Sequence, residues 1–329
     1  MNLAPGPAEP GHIPVMLNPV LDAIAPADGD VLIYGTFGGG GYARAFLDHA
    51  GCRVLGIDRD PVAVARGRQL ESEYPGRFDV VQGRYSEMEE AMRLHEIRTV
   101  NGVVFDLGLS SFQIDDPMRG FSFQGDGPLD MRMEGEGMTA AEFVNSADEH
   151  VIADTIWRYG EDRRSRAIAR AIIAAREESP IESTRVLADI VARAVGGGAK
   201  GRIHPATRTF QALRIHINEE LGPDGELARG LRAAERVLAP EGRLAVVSFH
   251  SLEDRTVKQF LTQRSGRSAG ESRHLPPAAP PPAPTFRPLF RGVRKPEAGE
   301  ISANPRARSA RLRAAVRTTA PNWPVDAAP

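Results

Sequence analysis

The 329-residue sequence predicts an α/β fold in which a mostly parallel sheet is interrupted by a block of helices. Three observations lead to this prediction. Short apolar runs alternate with helix-like segments up to residue 107, a pattern typical of parallel strands with covered faces. A polar, glycine-rich stretch and four amphipathic segments follow. A further apolar run at residues 243–248 then returns the chain to the sheet.

A glycine-rich turn follows the first expected strand, at residues 31–34, and precedes a helix that starts near Tyr42. Glycines such as Gly38 adopt backbone angles that a Cβ forbids, and they let a ligand lie directly against the main chain. Asp58 ends the second strand about twenty residues after Gly38, the spacing at which a carboxylate meets a ribose diol. These features predict an adenosine-type cofactor. The glycine pattern fits both the dinucleotide fingerprint and the looser loop of S-adenosylmethionine (SAM) methyltransferases.

The next elements continue the alternation of strands and helices. Asp60 and Pro61 suit the cap and first position of a helix that runs to about residue 72. Strands are expected at residues 78–82 and 100–107, and shorter helices at 12–25 and 86–94. Ligands of parallel sheets gather at the carboxyl ends of the strands. Four candidate site residues fall at these ends: Gly38, Asp58, Tyr85 and Asp106.

The regular alternation stops after residue 107. Residues 110–138 are too long for an ordinary connection and too rich in aromatic and apolar residues for plain disorder. Amphipathic helices are then expected at 164–177, 184–195, 205–221 and 224–238. We therefore expect a discontinuous sheet domain formed by residues 1–112 and 221–329, with a helical insertion at 113–220. Beyond it, the Pro- and Arg-rich residues 265–288 indicate a flexible segment, and residues 304–317 a last strand.

Composition excludes several classes of protein. The hydrophobic fraction of 41% supports a real core, and the single cysteine, Cys52, excludes a disulfide framework and fits a reducing compartment. No apolar run reaches membrane-spanning length, and the first ten residues resemble a frayed leader more than a signal peptide. We expect a soluble, cytoplasmic protein that does not bind membranes. No His, Cys and Asp cluster has metal-ligand spacing, so no metal is expected.

A series of motifs occurs in one order along the chain. They are GTFGGGG at 35–41, DRDP at 58–61, DLGLSSFQ at 106–113, RGFSF at 119–123, DGPLDMRM at 126–133, HPATRTFQALR at 204–214, SFHSLEDR at 248–255 and NPRARS at 304–309. Together they closely resemble the bacterial RsmH (MraW) family, the SAM-dependent N4-methyltransferases of a cytidine in small-subunit ribosomal RNA. The resemblance runs from about residue 12 to residue 317, and this ordered series of motifs is highly specific.

The resemblance implies a class I SAM-methyltransferase sheet, Rossmann-like in form, whose inserted all-helical domain recognises RNA. It also implies that the cofactor contacts are Gly40, Gly41, Tyr42, Asp58, Tyr85, Asp106 and Gln113. The glycine turn adds Gly38. Tyr42 replaces a histidine common in the family but keeps its backbone N–H. Tyr34 replaces the usual aspartate at the end of the first strand. Either SAM binding is weakened by the lost carboxylate, or Tyr34 packs at the strand end and the other contacts suffice.

The implied reaction sets demands on the site. The exocyclic N4 of cytosine is a poor nucleophile, so an enzyme must align it and accept its N–H hydrogen bonds. The base must also leave its stack and enter a pocket. Our catalytic candidates are Asp106 as acceptor, with Ser110 or Ser111, Asp130 and His250 converging on the pocket. The alternatives are that Asp130 only pairs with Arg132 and that His250 only hydrogen-bonds a neighbouring backbone.

Basic residues supply the candidates for RNA contact, which are Arg132, His204, Arg208, Arg306 and Arg308. His204 and Arg208 fall in the first turn of a helix, where they suit either a local cap or a phosphate contact. A helix face carries Arg163, Arg166 and Arg170, and the tail adds Arg311 and Arg313 in strand-like alternation. Charged faces are usually only solvated. If these residues meet phosphates, RNA binding should weaken steeply with salt.

Three functions fit the sequence to different degrees. The first is SAM-dependent methylation of small-subunit ribosomal RNA, either as free RNA or within the assembled small ribosomal subunit. The second is an assembly factor with the same fold and weakened SAM binding, which Tyr34 keeps open. The third, a NAD-dependent oxidoreductase, shares the glycine turn and Asp58 but has no candidate for its catalytic residues. The sequence leaves the oligomeric state open.

Overall fold

The computed structural model describes residues 14–196, 204–266 and 282–324. The chain divides into two compact units. The first comprises Met1–Gly108 with Pro223–Pro329, and the second is Leu109–Gly222. The sequence suggested borders at residues 113 and 220. The N-terminal leader and residues 267–281 of the segment expected to be flexible lie outside the described residues.

The first unit begins with four strands and four helices in alternation. The strands are β1 (Val31–Tyr34), β2 (Arg53–Asp58), β3 (Phe78–Gln82) and β4 (Val100–Asp106). The helices are α1 (Leu17–Ile24), α2 (Gly41–His49), α3 (Pro61–Glu73) and α4 (Met88–Leu94). Helix α3 begins as the sequence predicts, because the Asp60 side chain accepts a hydrogen bond from Val62 N at 3.0 Å and Pro61 opens the first turn.

The second unit is helical. Its helices are α5 (Ser111–Asp115), α6 (Ala140–Ser146), α7 (Glu149–Gly160), α8 (Ser165–Glu178), α9 (Thr184–Ala194) and α10 (Ala206–Ile217). Helices α5, α6 and α7 were not predicted from the sequence. A readable signal existed for α6, since Thr139 and Glu142 form a capping box three residues apart. The buried faces of these helices form one apolar core around residues such as Ile156, Ile168 and Leu187.

The chain then completes the sheet of the first unit. It adds α11 (Glu226–Val237), β5 (Leu238–Ser248), α12 (Ser251–Arg264), β6 (Phe286–Pro288), α13 (Ala298–Ala303) and β7 (Arg311–Arg317). The strand order is β3-β2-β1-β4-β5-β7-β6. Strands β1 to β5 are parallel, and β7 is antiparallel to both β5 and β6. The predicted fold class is confirmed.

Two expectations for the C-terminal part were wrong in detail. Part of the segment expected to be flexible, Phe286–Pro288, is strand β6, because Phe286 is buried and pairs with Arg317. The basic end is only partly a strand, since Pro305–Ser309 forms a 3₁₀ helix before β7 begins.

Among the helices of the described ranges, none is long and apolar enough to cross a bilayer.

Candidate active site

The glycine turn and the end of β2 form one hydrogen-bonded unit. Asp58 Oδ2 accepts from Gly38 N at 2.7 Å, and Oδ1 accepts from Asp60 N at 2.9 Å. Burial raises the pKa of Asp58 to about 6, although the two N–H donors oppose this shift. The turn closes at Gly40, whose φ of +75° favours glycine, and α2 starts at the next residue. Each Asp58 oxygen keeps a lone pair for a ribose hydroxyl.

Asp106 lies at the carboxyl end of β4 with its carboxylate only partly satisfied. Its Oδ1 is buried without a hydrogen-bond partner among the described residues. Its backbone N–H donates to Thr36 Oγ1 at 2.7 Å, which ties the strand end to the glycine turn. Burial first, and then the nearby charge of Glu253, raise the pKa of Asp106 to about 8. A buried, unsatisfied carboxylate oxygen beside a glycine turn indicates a site for a donor or a cation.

His250 and Glu253 open helix α12 next to this strand end. His250 is the N-cap residue: its Nδ1 accepts from Glu253 N at 3.4 Å, and its Nε2 lies 3.0 Å from Glu253 Oε1. The Glu253 carboxylate also accepts from Phe249 N at 2.8 Å and lies beside Gly108, directly after β4. His250 therefore makes the backbone hydrogen bond that we considered as its alternative role. Glu253, which is not among the candidate site residues, is an acidic neighbour of Asp106.

Two tyrosines, Tyr34 and Tyr42, pack together at the positions where the family usually has an aspartate and a histidine. Tyr34 is 4% exposed, and its ring centroid lies 5.5 Å from that of Tyr42 and 6.1 Å from that of Phe37. Tyr42 is fully buried, and its hydroxyl donates to the carbonyl of Val15. Tyr34 thus packs at the strand end, as one of the two alternatives proposed. Because the Tyr42 side chain is buried, only its backbone can contact a cofactor.

Tyr85 packs between two elements of the sheet unit. Its ring centroid lies 4.7 Å from that of Phe105, and α11 crosses it at Gly230. A Cβ on Gly230 would lie only 2.3 Å from Tyr85 Cε2. The glycine is therefore required by close approach, and it fixes the tyrosine that the resemblance places near the adenine.

Replacing Gly230 with Ala is expected to destabilise the protein by about 1–2 kcal/mol, because the overpacking of Tyr85 exceeds the gain in helix propensity. Urea unfolding measures the change. Gly299→Ala is the matched control, since Gly299 also lies in a helix but a Cβ there meets nothing within 4 Å. A Gly230→Ala variant as stable as the Gly299→Ala variant would contradict the packing described for Tyr85.

In the second unit, Ser110 and Gln113 are linked to one another. Ser110 Oγ accepts from Gln113 N at 3.3 Å, and Gln113 Oε1 accepts from Ser110 N at 3.1 Å, which makes a capping box at the start of α5. Gln113 is 8% exposed. Both residues therefore shape the start of this helix, whatever further contacts they make.

Asp130 and Arg132 form the ion pair that we considered as the alternative to catalysis. Arg132 Nη2 lies 2.7 Å from Asp130 Oδ2, and Arg132 Nε donates to Oδ1 at 2.9 Å. Burial acts to raise the pKa of Asp130, but the hydrogen bonds from Arg132 lower it below its ordinary value. This bidentate pair keeps Asp130 ionised and leaves it a poor proton acceptor.

The candidates for RNA contact are divided between local structure and open surface. His204 Nδ1 accepts from Ala206 N at 3.2 Å, which is the local cap of α10, and Arg208 donates to Glu161 O at 3.2 Å while staying exposed. Arg306 and Arg308 are exposed on the 3₁₀ helix. Two tail arginines, Arg311 and Arg313, instead pair with Asp254 at 3.0 and 2.7 Å. These two arginines therefore already have an internal carboxylate partner, and the Arg311 side chain is still 40% exposed.

The residues of the first unit fit SAM. The Asp58 carboxylate suits ribose hydroxyls, the turn from Gly38 to Gly41 offers main chain without side chains, and the unpartnered Asp106 Oδ1 suits a cationic or N–H-bearing group. No group of three His, Cys, Asp or Glu side chains within the described ranges could hold a metal ion.

The strand order, the antiparallel β7, the glycine turn after β1 and the acids ending β2 and β4 define a class I SAM-dependent methyltransferase. The chain belongs to the MraW methylase family, whose model matches residues 9–318. It is 59% identical over 310 residues to the ribosomal RNA small subunit methyltransferase H of Rhodospirillum centenum, covering 94% of this chain and 93% of that protein. The protein of the same name from Parvibaculum lavamentivorans is 54% identical over 317 residues, with 96% and 92% covered.

Family membership settles one alternative from the sequence. The glycine turn and Asp58 belong to a SAM-dependent methyltransferase, so a NAD-dependent oxidoreductase is excluded.

Proposed function

We propose that this protein transfers the methyl group of SAM to the exocyclic N4 of a cytidine in small-subunit ribosomal RNA. The observation that carries the choice of an amino nitrogen is the buried, unpartnered Oδ1 of Asp106 at the end of β4. The names of the relatives support the RNA substrate, and the motif series supports the cytidine N4. Ribosomal RNA as substrate implies a cytoplasmic protein.

Asp106 has the properties of an acceptor for the N4 amino group. Its free oxygen accepts an N–H hydrogen bond as positive charge develops on the nitrogen. When bound, SAM supplies a methyl group on a cationic sulfur. The raised pKa, about 8, makes Asp106 a stronger base than an ordinary carboxylate, so it is suited to hold the departing N4 proton. Thr36 fixes the strand end through the Asp106 N–H.

The remaining polar candidates have supporting roles in this proposal. His250 acts through Glu253, whose carboxylate it contacts, and Glu253 in turn raises the pKa of Asp106. Ser110 and Asp130 are kept as catalytic candidates on the motif series alone. The proposed SAM contacts within the first unit are Gly38, Gly40, Gly41, Tyr42 through its backbone, Asp58, Tyr85 and Asp106.

The proposed role of the second unit is RNA recognition. It is supported by exposed basic side chains, namely Arg163 before α8, Arg166 and Arg170 on α8, and Arg208 on α10. Arg132 and His204 belong to the same proposed surface, although both also have local partners. Arg306 and Arg308 supply exposed cations from the first unit. Contacts of this kind position the protein on the RNA through the phosphate backbone and do not distinguish one base from another.

The test is methylation of purified substrates. The protein is incubated with methyl-labelled SAM and either deproteinised small-subunit RNA or assembled small subunits, and nucleosides are then resolved by mass spectrometry. N4-methylcytidine in one of the two substrates is the expected result. The substrate that becomes methylated shows whether the protein acts on free RNA or on the assembled subunit. Tight binding to subunits without methylation would support the assembly-factor function and overturn the proposal.

A further inference from the structure

Tyr34 stands between the two carboxylates of the cofactor crevice. Strand β1 lies between β2 and β4, and Tyr34 is in register with Gly56 and Val104. Asp58 and Asp106 each follow two residues later, at the carboxyl ends of the neighbouring strands. The middle strand of this trio therefore ends in a phenol. Burial first, then the charges of Asp106 and Asp58, raise the pKa of Tyr34, so this phenol stays neutral.

The two carboxylates differ in what they have left to bind. Both Asp58 oxygens already accept backbone N–H groups of the turn. Asp106 keeps one buried oxygen without a partner among the described residues. A cation bound at this edge of the sheet thus has an open carboxylate at Asp106, whereas the neighbouring strand β1 ends in the uncharged Tyr34.

We propose that Tyr34 and Asp106 together set the preference of this protein for SAM over its product, S-adenosylhomocysteine, with the negative charge for the cationic sulfur supplied by Asp106. The inference rests on the proposed function. The two ligands share the adenosine and amino-acid parts, and differ in that SAM carries a methyl group and a positive charge on sulfur. A carboxylate within a few ångströms of that charge favours SAM, whereas tyrosine does not distinguish the two charges.

The consequence is a preference that depends on pH. The pKa of Asp106 is about 8 without cofactor, so below that pH a carboxyl proton must leave as SAM binds. The titratable groups facing Asp106 are Glu253 from α12, Tyr34 from β1 and Tyr42 from α2, and His250 contacts Glu253. Both tyrosines have pKa values raised above 10 and stay neutral up to pH 9.

Calorimetric titration with SAM and with S-adenosylhomocysteine between pH 6.5 and 9 tests the inference. The ratio of the two dissociation constants is expected to shift towards SAM by about 10- to 30-fold across this range, the change for a carboxyl with pKa about 8 that must ionise. The ratio cancels the amino group and the ribose contact of Asp58, which the two ligands share, and Asp58, with a pKa of about 6, is already mostly ionised over this range. Titration in buffers of different ionisation enthalpy should show about one more proton released by SAM than by the product at pH 7.

Three variants complete the test. Asp106→Asn should bind both ligands with a ratio that no longer depends on pH. Tyr34→Asp should increase the preference for SAM by about 10-fold at pH 8, because it adds a second carboxylate. Tyr34→Phe is the uncharged match and should keep the original ratio. Thermal unfolding checks that each variant is folded.

The outcomes separate this inference from the proposed function. If both ligands bind but the ratio is independent of pH in the unsubstituted protein, or Tyr34→Asp leaves it unchanged, the inference is overturned while methyl transfer stands. If neither ligand binds, the proposed function fails as well.

Discussion

Replacing Asp106 with Asn is expected to reduce the kcat of methyl transfer by about 10²- to 10³-fold. The asparagine amide keeps the shape of the side chain but cannot take the N4 proton. It also places either a neutral oxygen or a donor NH₂ group where the substrate presents its own N–H. At saturating SAM the loss should appear in kcat, since the turn and Asp58 still hold the adenosine part of SAM.

Single-turnover methylation with saturating SAM and small subunits measures this loss. Asp79→Asn is a suitable control, because Asp79 also belongs to a sheet strand but pairs with Arg53 at 2.8 Å away from the crevice. It should retain the full rate. An Asp106→Asn variant with more than a tenth of the original kcat would assign the acceptor role to another group, and Ser110 would be the next residue to replace.

The sequence could predict Asp58 and Asp106 because strand ends follow from local patterns. Buried runs ending in an acid define the carboxyl edge of a parallel sheet, and that edge collects ligands regardless of tertiary detail. The runs at residues 53–58 and 78–82 match the observed strands at both ends. Here local preference and tertiary structure agree, so one-dimensional reasoning is sufficient.

The other polar candidates show where this reasoning ends. Ser110 with Gln113, and His250 with Glu253, have the three-residue spacing of a capping box and also belong to motifs that suggest chemistry. Spacing alone cannot separate the two roles, since the same oxygen or nitrogen serves both. The proximity of Glu253 to Asp106 arises only when β4 and β5 pair side by side, a contact between residues 147 positions apart in the chain.

A buried ion-pair network in the first unit was also invisible in the sequence. Glu235 is 2% exposed and pairs with Arg264 at 2.9 Å, and its carboxylate accepts from Thr285 Oγ1 at 2.6 Å. Arg317 donates to the Glu235 main-chain oxygen at 3.0 Å, and the Trp323 ring lies 4.3 Å from the Arg264 guanidinium. These residues join α11, α12 and β7, and the spacing between them is too irregular to be read as a motif.

Glu235→Ala is expected to destabilise the protein by about 3–5 kcal/mol, because it leaves the Arg264 cation buried without its carboxylate. Urea unfolding measures the loss. The matched control is Glu89→Ala, which breaks the ion pair between Glu89 and Arg236. Arg236 lies on α11 next to Glu235, but the Glu89 and Arg236 side chains are 49% and 33% exposed. Water screens that pair, so its loss should cost less than about 1 kcal/mol.

A double variant separates the charge from the packing. Replacing both Glu235 and Arg264 with Met removes the two charges together and keeps most of the buried volume. It should recover much of the stability lost in Glu235→Ala, since the main cost there is the unpaired cation and not the missing attraction. If the double variant is as unstable as Glu235→Ala, the hydrogen bonds to Thr285 and the stacking on Trp323 hold these elements together, and the ion pair contributes little.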